Sequence, residues 1–483
     1  MNWLREENGT LVWEKNQETV TIQAWGDDSL RVKSTIYPET TDRLWALLKP
    51  AKTKPRIEIS DTSAVIRNGK ITAKVSPDGR ICFLKSADGS ALLEEIYPRN
   101  GAHPRPARFF RPCGGDLFRL EVSFSACEGE RLYGLGQHQH GFLDQKGCVI
   151  DLYQRNTEVC IPFLLSSRGY GFLWNNPAVG QVELGKTQTR WVADGARCID
   201  YLVIGGDSWA DIMNRYADAT GYAPEMPAWA QGFWQCKLRY RTQDELLAVA
   251  REYKKRNLPL SVIVADFFHW TLQGEWRFDP ACWPDPDAML RELDEMNVKL
   301  MVSVWPTVNE HSRNFATMKE HGWLLREENG SAATRPFCDT APAGPLGVHF
   351  YDPTNPGARN FIWEQVRENY YKKGVKIWWL DACEPELLEE IEPANLRYHL
   401  GNGREIGCFY PWANQQAFYE GMKAEKETEY LMLCRSAWAG SQRFGAAVWS
   451  GDIQSTFEAL QAQVRAGLNI GLSGIPWWTE AIR

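Results

Sequence analysis

The sequence lacks the features that define several large classes of protein. Its 12 cysteines form no CxxC pair and no regular spacing, which argues against a zinc site and against a disulfide framework. No apolar run approaches the roughly 20 residues of a membrane span, and the N-terminus lacks the apolar centre of a signal peptide. We therefore expect a cytoplasmic protein that does not associate with membranes and whose cysteines are mostly reduced and buried.

Concentrated positive charge is also absent. The net charge of −7 and the lack of a basic stripe argue against a nucleic-acid partner, because such a partner requires clustered Lys and Arg. Aromatic residues are abundant instead, at 12% of the chain with 22 Trp. Flat rings stack on sugar faces, although they also fill large cores, so this excess gives weak support for a carbohydrate partner. A homo-oligomer is left open.

A chain of 483 residues predicts two or more domains. In residues 1–224, short alternating segments such as VTIQAW and KITAKVS predict strands, and Asp78-Gly79 and Asp88-Gly89 predict hairpin turns. An antiparallel β-sandwich is the expected N-terminal domain. Residues 207–220 predict a connecting helix that begins at an Asp or Ser cap and ends at Gly221.

Two histidines two positions apart stand out within this first domain, in the segment YGLGQHQHG. On a strand, His138 and His140 would share a face and could ligate a metal. No third ligand is apparent in the sequence. We therefore expect no metal and no cofactor, and interpret the segment as structural.

After the Pro-rich stretch 223–227, strand and helix patterns alternate, which indicates parallel βα units in residues 225–483. A (β/α)8 barrel requires eight strands, so this barrel is predicted to stop one unit short at its C-terminus. The long connections 307–370 and 386–428 predict lids or small subdomains. The seven strand candidates are residues 232–237, 260–268, 299–305, 376–381, 429–435, 446–452 and 469–477.

Acidic residues lie at the ends of three of these strand candidates, namely Asp266, Asp381 and Asp452. Catalytic side chains of parallel barrels occupy this position, although a strand-end Asp also commonly caps the following helix. Two carboxyl groups that face each other across a cleft are what glycoside hydrolysis requires. Arg435 ends another strand, where it could keep a nearby carboxylate ionised or bind sugar hydroxyls.

Two segments carry a resemblance to a known family. WLDACEPE at residues 379–386 and RSAWAGSQRFGAAVWSGDI at residues 435–453 resemble the nucleophile and acid/base segments of glycoside hydrolase family 31, the retaining α-glycosidases. The resemblance implies that Asp381 is the nucleophile and that Asp452 is the acid/base. It also implies an N-terminal β-sandwich, in agreement with the periodicity, and an oligosaccharide or glycoside substrate.

The resemblance assigns roles to further residues. It implies that Asp266 accepts hydrogen bonds from the hydroxyls of the sugar that is cleaved. Phe268 matches a bulky residue of the family's α-xylosidases, which implies a preference for xylose over glucose. The rings of Phe267 and Phe268 are adjacent, so on a strand they should point to opposite faces. Only Phe268 would then line the pocket.

The resemblance also implies that Glu384 orients its neighbours or forms a salt bridge on the rim. Trp305 would floor the sugar site or pack the barrel top. Two further tryptophans are predicted to bind substrate: Trp378 and Trp449.

The chain also departs from the family pattern. Trp379 stands where some relatives have Lys, and the closing segment GLSGIPWWTEAIR diverges after Thr479. We therefore expect a chain truncated at its C-terminus, without the eighth strand and the C-terminal β domains. The predicted activity is retaining cleavage of terminal α-linked xylose or glucose. The alternatives are an α-glucosidase or transglucosylase of the same family, an inactive carbohydrate-binding fragment, and an unrelated metal-dependent barrel hydrolase.

Overall fold

The computed structural model describes residues 3–37, 42–98, 105–340, 346–387 and 392–480. Up to Gly205 the described residues form strands only. These strands are β1 (Leu4–Glu7), β2 (Thr10–Lys15), β3 (Glu18–Ala24), β4 (Ser29–Thr35), β5 (Arg56–Ile59), β6 (Ala64–Asn68), β7 (Ile71–Val75), β8 (Ile81–Lys85), β9 (Ala91–Glu94), β10 (Arg108–Gly114), β11 (Leu117–Ser125), β12 (Leu132–Gln137), β13 (Val149–Leu152), β14 (Val159–Ser166), β15 (Tyr170–Trp174), β16 (Gly180–Leu184), β17 (Gln188–Ala196) and β18 (Ile199–Gly205).

The strands of this half form three antiparallel sheets, in the orders β1-β2-β3-β4-β18-β15-β14-β12, β10-β11-β17-β16-β13 and β5-β6-β7-β8-β9. Side chains alternate between buried and exposed along strands such as β7, as expected for sheets with one face in a core. The ring of Phe172 stacks on Trp191 in that core, with 4.8 Å between centroids. The predicted N-terminal β-sandwich is confirmed.

The predicted turns and connecting helix are also present. Gly79 and Gly89 adopt positive φ values of 84° and 73° in the β7–β8 and β8–β9 turns, a conformation that costs glycine little. Helix α1 (Trp209–Thr220) begins where the side chain of Ser208 accepts a hydrogen bond from the backbone N–H of Asp211. Residues 223–227 follow without a regular element. A domain boundary at 224/225 stays a prediction.

Beyond this stretch, helices and strands alternate. The elements are β19 (Trp234–Gln235), α2 (Gln243–Lys255), β20 (Val262–Ala265), α3 (Pro286–Glu295), β21 (Lys299–Val304), β22 (Thr307–Asn309), α4 (Phe315–Glu320), β23 (Arg326–Glu327), β24 (Thr334–Phe337), β25 (Leu346–Phe350), α5 (Pro356–Asn369), β26 (Ile377–Leu380), β27 (Leu396–Tyr398), β28 (Gly401–Asn402), α6 (Gly403–Ile406), α7 (Tyr410–Ala424), β29 (Met432–Cys434), β30 (Ala446–Trp449), α8 (Phe457–Leu472) and β31 (Trp478–Thr479).

Seven of these strands form one parallel sheet, in the order β19-β20-β21-β26-β29-β30-β31. The sheet curls as in a TIM-type domain, and among the described residues no pairing joins β19 to β31. The long connections hold two small sheets, β22-β25-β24 and β23-β27-β28, as predicted for subdomains. In the described part of the chain, no helix has both the length and the apolar character needed to cross a membrane.

The seventh strand candidate was wrong, because none of the residues 469–477 lies in a strand. The stretch 469–472 forms the last turn of α8, and the strand follows only at β31. A short apolar run such as NIGL suits a buried helix end as well as a strand, so periodicity could not separate the two. The sequence departs from the family's closing segment after Thr479, and residues 481–483 of that stretch lie outside the described residues.

The sandwich docks on the barrel through β12. The backbone N–H of Gly134 donates to Asn469 Oδ1 at 2.9 Å, and that of Gly136 donates to Ser473 Oγ at 2.7 Å. A Cβ on Gly134 would lie 3.3 Å from Ser473 Oγ and 2.7 Å from the carbonyl oxygen of Phe163, so a larger residue would crowd this contact. The YGLG segment therefore joins the two halves of the molecule.

Candidate active site

The carboxyl ends of the parallel strands gather charged side chains at one rim. Asp266 follows β20, Asp381 follows β26 and Arg435 follows β29 directly. Asp452 follows β30 after two further residues. Because parallel strands end at the same edge, residues far apart in sequence meet there.

Asp381 is buried against positive charge. Its Oδ1 lies 3.0 Å from Arg435 Nη1 and accepts a hydrogen bond from the backbone N–H of Ala382 at 2.8 Å. Burial raises the pKa of Asp381 to about 6, while the Arg435 charge and the Ala382 N–H act in the opposite direction. The carboxyl group is therefore mostly ionised at neutral pH, and it is more basic than an exposed Asp.

Arg435 is the centre of a buried charge network. Its Nε and Nη2 contact the two carboxylate oxygens of Glu384 at 2.8 and 2.9 Å, which is a bidentate pair. Glu386 contacts the same guanidinium and also pairs with Arg335 at 3.0 Å. Glu384 was predicted either to orient its neighbours or to form a salt bridge. It forms a salt bridge with Arg435, and this contact also orients Arg435 toward Asp381.

Asp452 lies on the same rim but is exposed. Its Oδ2 lies 3.8 Å from the Arg435 Nη1 that contacts Asp381, so one nitrogen lies between the two carboxylates. The side chain of Asn156, from the N-terminal sandwich, donates to Asp452 Oδ2 at 2.7 Å. Asp381 and Asp452 therefore face one space, as the sequence predicts.

Asp266 completes the acidic set. It is buried, accepts a hydrogen bond from the backbone N–H of Phe267 at 2.7 Å, and lies 3.8 Å from the thiol of Cys236. Burial raises the pKa of Asp266 to about 7, and the charges of Asp381 and Asp452 add to the increase. Three carboxyl groups thus share one electrostatic environment.

Aromatic rings line the rim beside these carboxyl groups. The cluster consists of Phe267, Phe268, Trp270, Trp305 and Phe337 with Ala382. The Phe267 and Trp305 rings stack with centroids 5.3 Å apart. The indole N–H groups of Trp270 and Trp305 are buried, and no hydrogen-bond partner for them exists among the described residues. The exposed parts of such a ring cluster offer a stacking face, which suits a sugar.

The prediction that Phe267 and Phe268 point to opposite faces was wrong. Strand β20 ends at Ala265, and Phe268 adopts a positive φ of 63°, so strand alternation does not apply to it. The two rings contact each other, with centroids 4.4 Å apart. Phe268 also lies under the guanidinium of Arg239 at 5.1 Å. Both rings therefore belong to the aromatic cluster.

The prediction that Trp378 binds substrate is also corrected. Trp378 is fully buried between the sheet and the helices, where its indole N–H donates to Met422 Sδ at 3.1 Å and its ring contacts Phe418. Its neighbour Trp379 instead points into the barrel and meets Trp449, with ring centroids 5.3 Å apart. Trp449 is 4% exposed in that interior cluster, and Trp379 lies on the same strand face as Asp381.

The histidines of the YGLGQHQHG segment lie in the sandwich. His138 is buried, and its Nε2 lies 2.9 Å from the carbonyl oxygen of Leu135. The His138 and His140 rings stack at 5.8 Å. Within the described ranges, no group of three His, Cys, Asp or Glu side chains could hold a metal ion.

Comparison with known proteins agrees with this geometry. Residues 223–482 match the model of the glycosyl hydrolases family 31 TIM-barrel domain, and residues 19–183 match that of the glycosyl hydrolase 31 N-terminal galactose mutarotase-like domain. The chain belongs to glycoside hydrolase family 31. Its relatives in that family include alpha-xylosidases, and the chain is a glycosidase.

Individual family 31 proteins resemble the whole chain. It is 44% identical to the uncharacterized family 31 glucosidase ORF2 of Pseudescherichia vulneris, over 100% of this chain and 92% of that protein. It is 32% identical to alpha-xylosidase A of Aspergillus niger, over 96% and 68%. The crystal structure of a family 31 alpha-xylosidase from a soil metagenome, complexed with xylose, superposes with a TM-score of 0.94 at 47% identity, over 99% of this chain and 72% of that one.

The sequence did not point to every residue of this family 31 site. Asn156 lies nearly 300 positions before the residue it contacts, and its segment carried no sign of the site. Trp270 could have been found, because it follows the strand-end Asp266 within a dense aromatic run. Cys236 and Phe337 carry no comparable signal, since each reaches the rim only through the fold.

Proposed function

We propose that this chain is a retaining α-glycosidase that removes terminal α-linked xylose from an oligosaccharide or glycoside, with Asp381 as the nucleophile and Asp452 as the acid/base. The observation that carries the proposal is the shared nitrogen of Arg435, 3.0 Å from Asp381 and 3.8 Å from Asp452. Retaining enzymes need two carboxyl groups on one reacting bond, at the short separation that this arrangement favours.

In the first step, Asp381 attacks the anomeric carbon while Asp452 protonates the leaving oxygen. The C–O bond breaks with its electrons on the leaving oxygen, and a bond forms between the sugar and Asp381. Arg435 favours the charged form of Asp381, which the attack requires. In the second step Asp452 accepts a proton from water, whose oxygen displaces Asp381.

Asp266 and the aromatic cluster bind the sugar in this proposal. Asp266 accepts hydrogen bonds from sugar hydroxyls, and its charged form does so best. Trp305 supplies a stacking face. Trp449 and Trp379 form the floor of the barrel below the sugar.

Xylose is preferred over glucose because Phe268 and Phe267 crowd the place where glucose carries its hydroxymethyl group. The alpha-xylosidase relatives and the solved alpha-xylosidase complexed with xylose support this choice. A filled pocket discriminates against one extra carbon group by about 1 to 3 kcal/mol, so the result is a preference of about 10- to 200-fold.

Variants of the two carboxyl residues test the roles. Asp381→Ala should abolish turnover of every substrate, because no covalent intermediate can form. Asp452→Ala should lose methyl glycosides but retain nitrophenyl glycosides, whose leaving group needs no proton. If Asp452→Ala loses both substrates to the same extent, the acid/base assignment fails. Proton NMR of the first product should show the α-anomer, and an initial β-anomer would exclude retention.

Specificity constants on nitrophenyl α-xyloside and α-glucoside test the sugar. We expect at least about 10-fold preference for the xyloside, and Phe268→Ala should reduce it by admitting the hydroxymethyl group. A wild-type preference for the glucoside would contradict the proposal. A cytoplasmic location, the absence of nucleic-acid and membrane partners, and a homo-oligomer remain predictions from the sequence.

A further inference from the structure

A turn of the N-terminal sandwich reaches the rim of the barrel. It joins β13 to β14, and Arg155 and Glu158 close it through two backbone hydrogen bonds of 3.1 Å. Thr157, inside the turn, has a positive φ of 71°. Asn156 beside it points its side chain at Asp452. The neutral side chain of Asn156, from the sandwich, thus contacts the carboxyl group of Asp452, from the barrel.

Polar contacts fix this turn in place. The carbonyl oxygen of Thr157 accepts hydrogen bonds from Gln137 Nε2 at 3.0 Å and from Gln139 Nε2 at 2.8 Å. Gln137 Nε2 also donates to the carbonyl oxygen of Trp449, the last residue of β30, at 3.2 Å. The turn is therefore tied to the same strand end that carries Asp452.

Close backbone approach adds to this fit. Gly451 has a positive φ of 76°, and a Cβ there would lie 2.6 Å from the backbone nitrogen of Thr157 and 2.9 Å from Asn156 Oδ1. Only glycine allows the Asp452 loop to lie so near the turn. The sandwich turn and the Asp452 loop are therefore in close van der Waals contact at Gly451.

The orientation of the Asn156 amide follows from its partners. The backbone N–H of Asp452 donates to Asn156 Oδ1 at 3.0 Å, and a backbone N–H can only donate. Asn156 Nδ2 must then face the carboxyl group, where it donates to Oδ2 at 2.7 Å. Arg435 Nη1 lies 3.8 Å from the same Oδ2. Oδ2 therefore accepts a hydrogen bond from Asn156 and lies near the Arg435 cation.

We propose that Asn156 is a positioning residue for acid/base catalysis: its amide holds Oδ2 of Asp452 and so directs the carboxyl group toward the glycosidic oxygen. This inference rests on the proposed function. When the O–H bond of protonated Asp452 breaks, the proton goes to the leaving oxygen and the electron pair of that bond stays on Asp452. The Asn156 N–H then stabilises the carboxylate, and water later returns a proton to Asp452.

The test is the ratio of two specificity constants, for a nitrophenyl and a methyl glycoside of the sugar that the enzyme cleaves. General acid catalysis contributes about 10²- to 10⁴-fold, so loss of positioning should remove part of it. Asn156→Ala should lower kcat/KM about 10- to 100-fold on the methyl glycoside and less than about 3-fold on the nitrophenyl glycoside. A ratio does not depend on the folded fraction, so partial misfolding of a variant cancels.

Two further variants separate positioning from packing. Asn156→Asp keeps an acceptor for the backbone N–H of Asp452 but removes the donor to Oδ2, and it should be at least as impaired as Asn156→Ala on the methyl glycoside. Glu158→Gln changes the same turn without touching Asp452 and should leave the ratio unchanged. A wild-type ratio in Asn156→Asp, or an equal loss on both substrates in Asn156→Ala, would overturn the inference.

Asp452→Ala, measured in parallel, distinguishes the two levels of the argument. Suppose that Asp452→Ala loses the methyl glycoside but retains the nitrophenyl glycoside. If Asn156→Ala does not show the same selective loss, the inference about Asn156 is wrong while the proposed roles of the carboxyl groups stand. If Asp452→Ala lacks the pattern, the proposed roles fail with it.

Discussion

Asp381 and Asp452 lie on one rim but are held by opposite means. The Asp381 side chain is 10% exposed and is fixed inside the barrel by Arg435, which two glutamates hold in turn. The Asp452 side chain is 41% exposed, and a neutral amide from the other half of the molecule fixes it.

The difference matches what each group must do. A nucleophile must stay charged away from water, and a buried cation provides this. A proton donor must later meet water, so it must remain accessible, and a neutral partner orients it without adding a charge. We infer that the barrel, through Arg435, keeps Asp381 charged and that the sandwich, through Asn156, orients Asp452.

The largest effect is expected when the charge network is broken. Arg435→Met leaves Asp381 and Glu384 buried without their cation, so it should lower the free energy of unfolding by about 3 to 5 kcal/mol. Activity of the folded enzyme should fall on the order of 100-fold or more. Urea unfolding and kinetics measure the two losses.

A matched control is Arg31→Met, which breaks the buried Arg31–Asp200 pair of the sandwich, 2.6 Å long. It should cost similar stability but leave the activity of the folded enzyme unchanged. Equal activity loss in both variants would mean that Arg435 acts only through stability.

The next effect is the pH dependence of the wild-type enzyme. The pKa values of Asp381 and Asp266 are raised to about 6 and about 7, and both groups work in their charged forms. Activity should therefore be lost as the pH falls, with the acid limb of kcat/KM between pH 6 and 7. An acid limb near pH 4, which is typical of an exposed Asp, would show that burial does not raise the pKa values of Asp381 and Asp266.

A smaller shift is expected from Glu384→Gln. The Glu384 charge contributes to the raised pKa of Asp381, so its removal should move the part of the acid limb that Asp381 sets to lower pH, while the part that Asp266 sets stays in place. Glu386→Gln, which removes the other glutamate on the same guanidinium, should shift it less. A shift to higher pH in Glu384→Gln would mean that loss of Arg435 orientation outweighs the removed charge.

The smallest effect concerns stability on the exposed side. Asn156→Ala removes two hydrogen bonds near solvent, so it should lower the free energy of unfolding by about 1 kcal/mol or less. The same urea experiment compares it with Arg435→Met. A loss as large as that of Arg435→Met would abolish the distinction between the two ways of holding a carboxyl group.

Much of the fold and part of the site could be predicted from local patterns. Alternating segments and Asp-Gly turns predicted the sandwich, and strand-helix alternation predicted the parallel sheet and located six of its seven strands. The positions of Asp266, Asp381 and Asp452 after apolar runs were sufficient to place them on one rim, because parallel strands end at a common edge.

Side-chain direction was harder to predict wherever both faces of a strand are buried. Trp378 and Trp379 are adjacent and chemically identical, yet one packs under the helices and the other enters the barrel. A period of two gives opposite faces but does not say which face is the interior. The positive φ of Phe268 likewise ended the alternation on which the prediction for the two rings rested.

Contacts across the two halves lay beyond any local pattern. Asn156 and Asp452 are separated by nearly 300 residues and by several elements, and their hydrogen bonds exist only because β12 docks on α8 and brings the turn to the rim. Local sequence sets backbone preference and burial, which act over a few residues. The meeting of distant side chains depends on how whole sheets pack, and that packing is a property of the assembled chain.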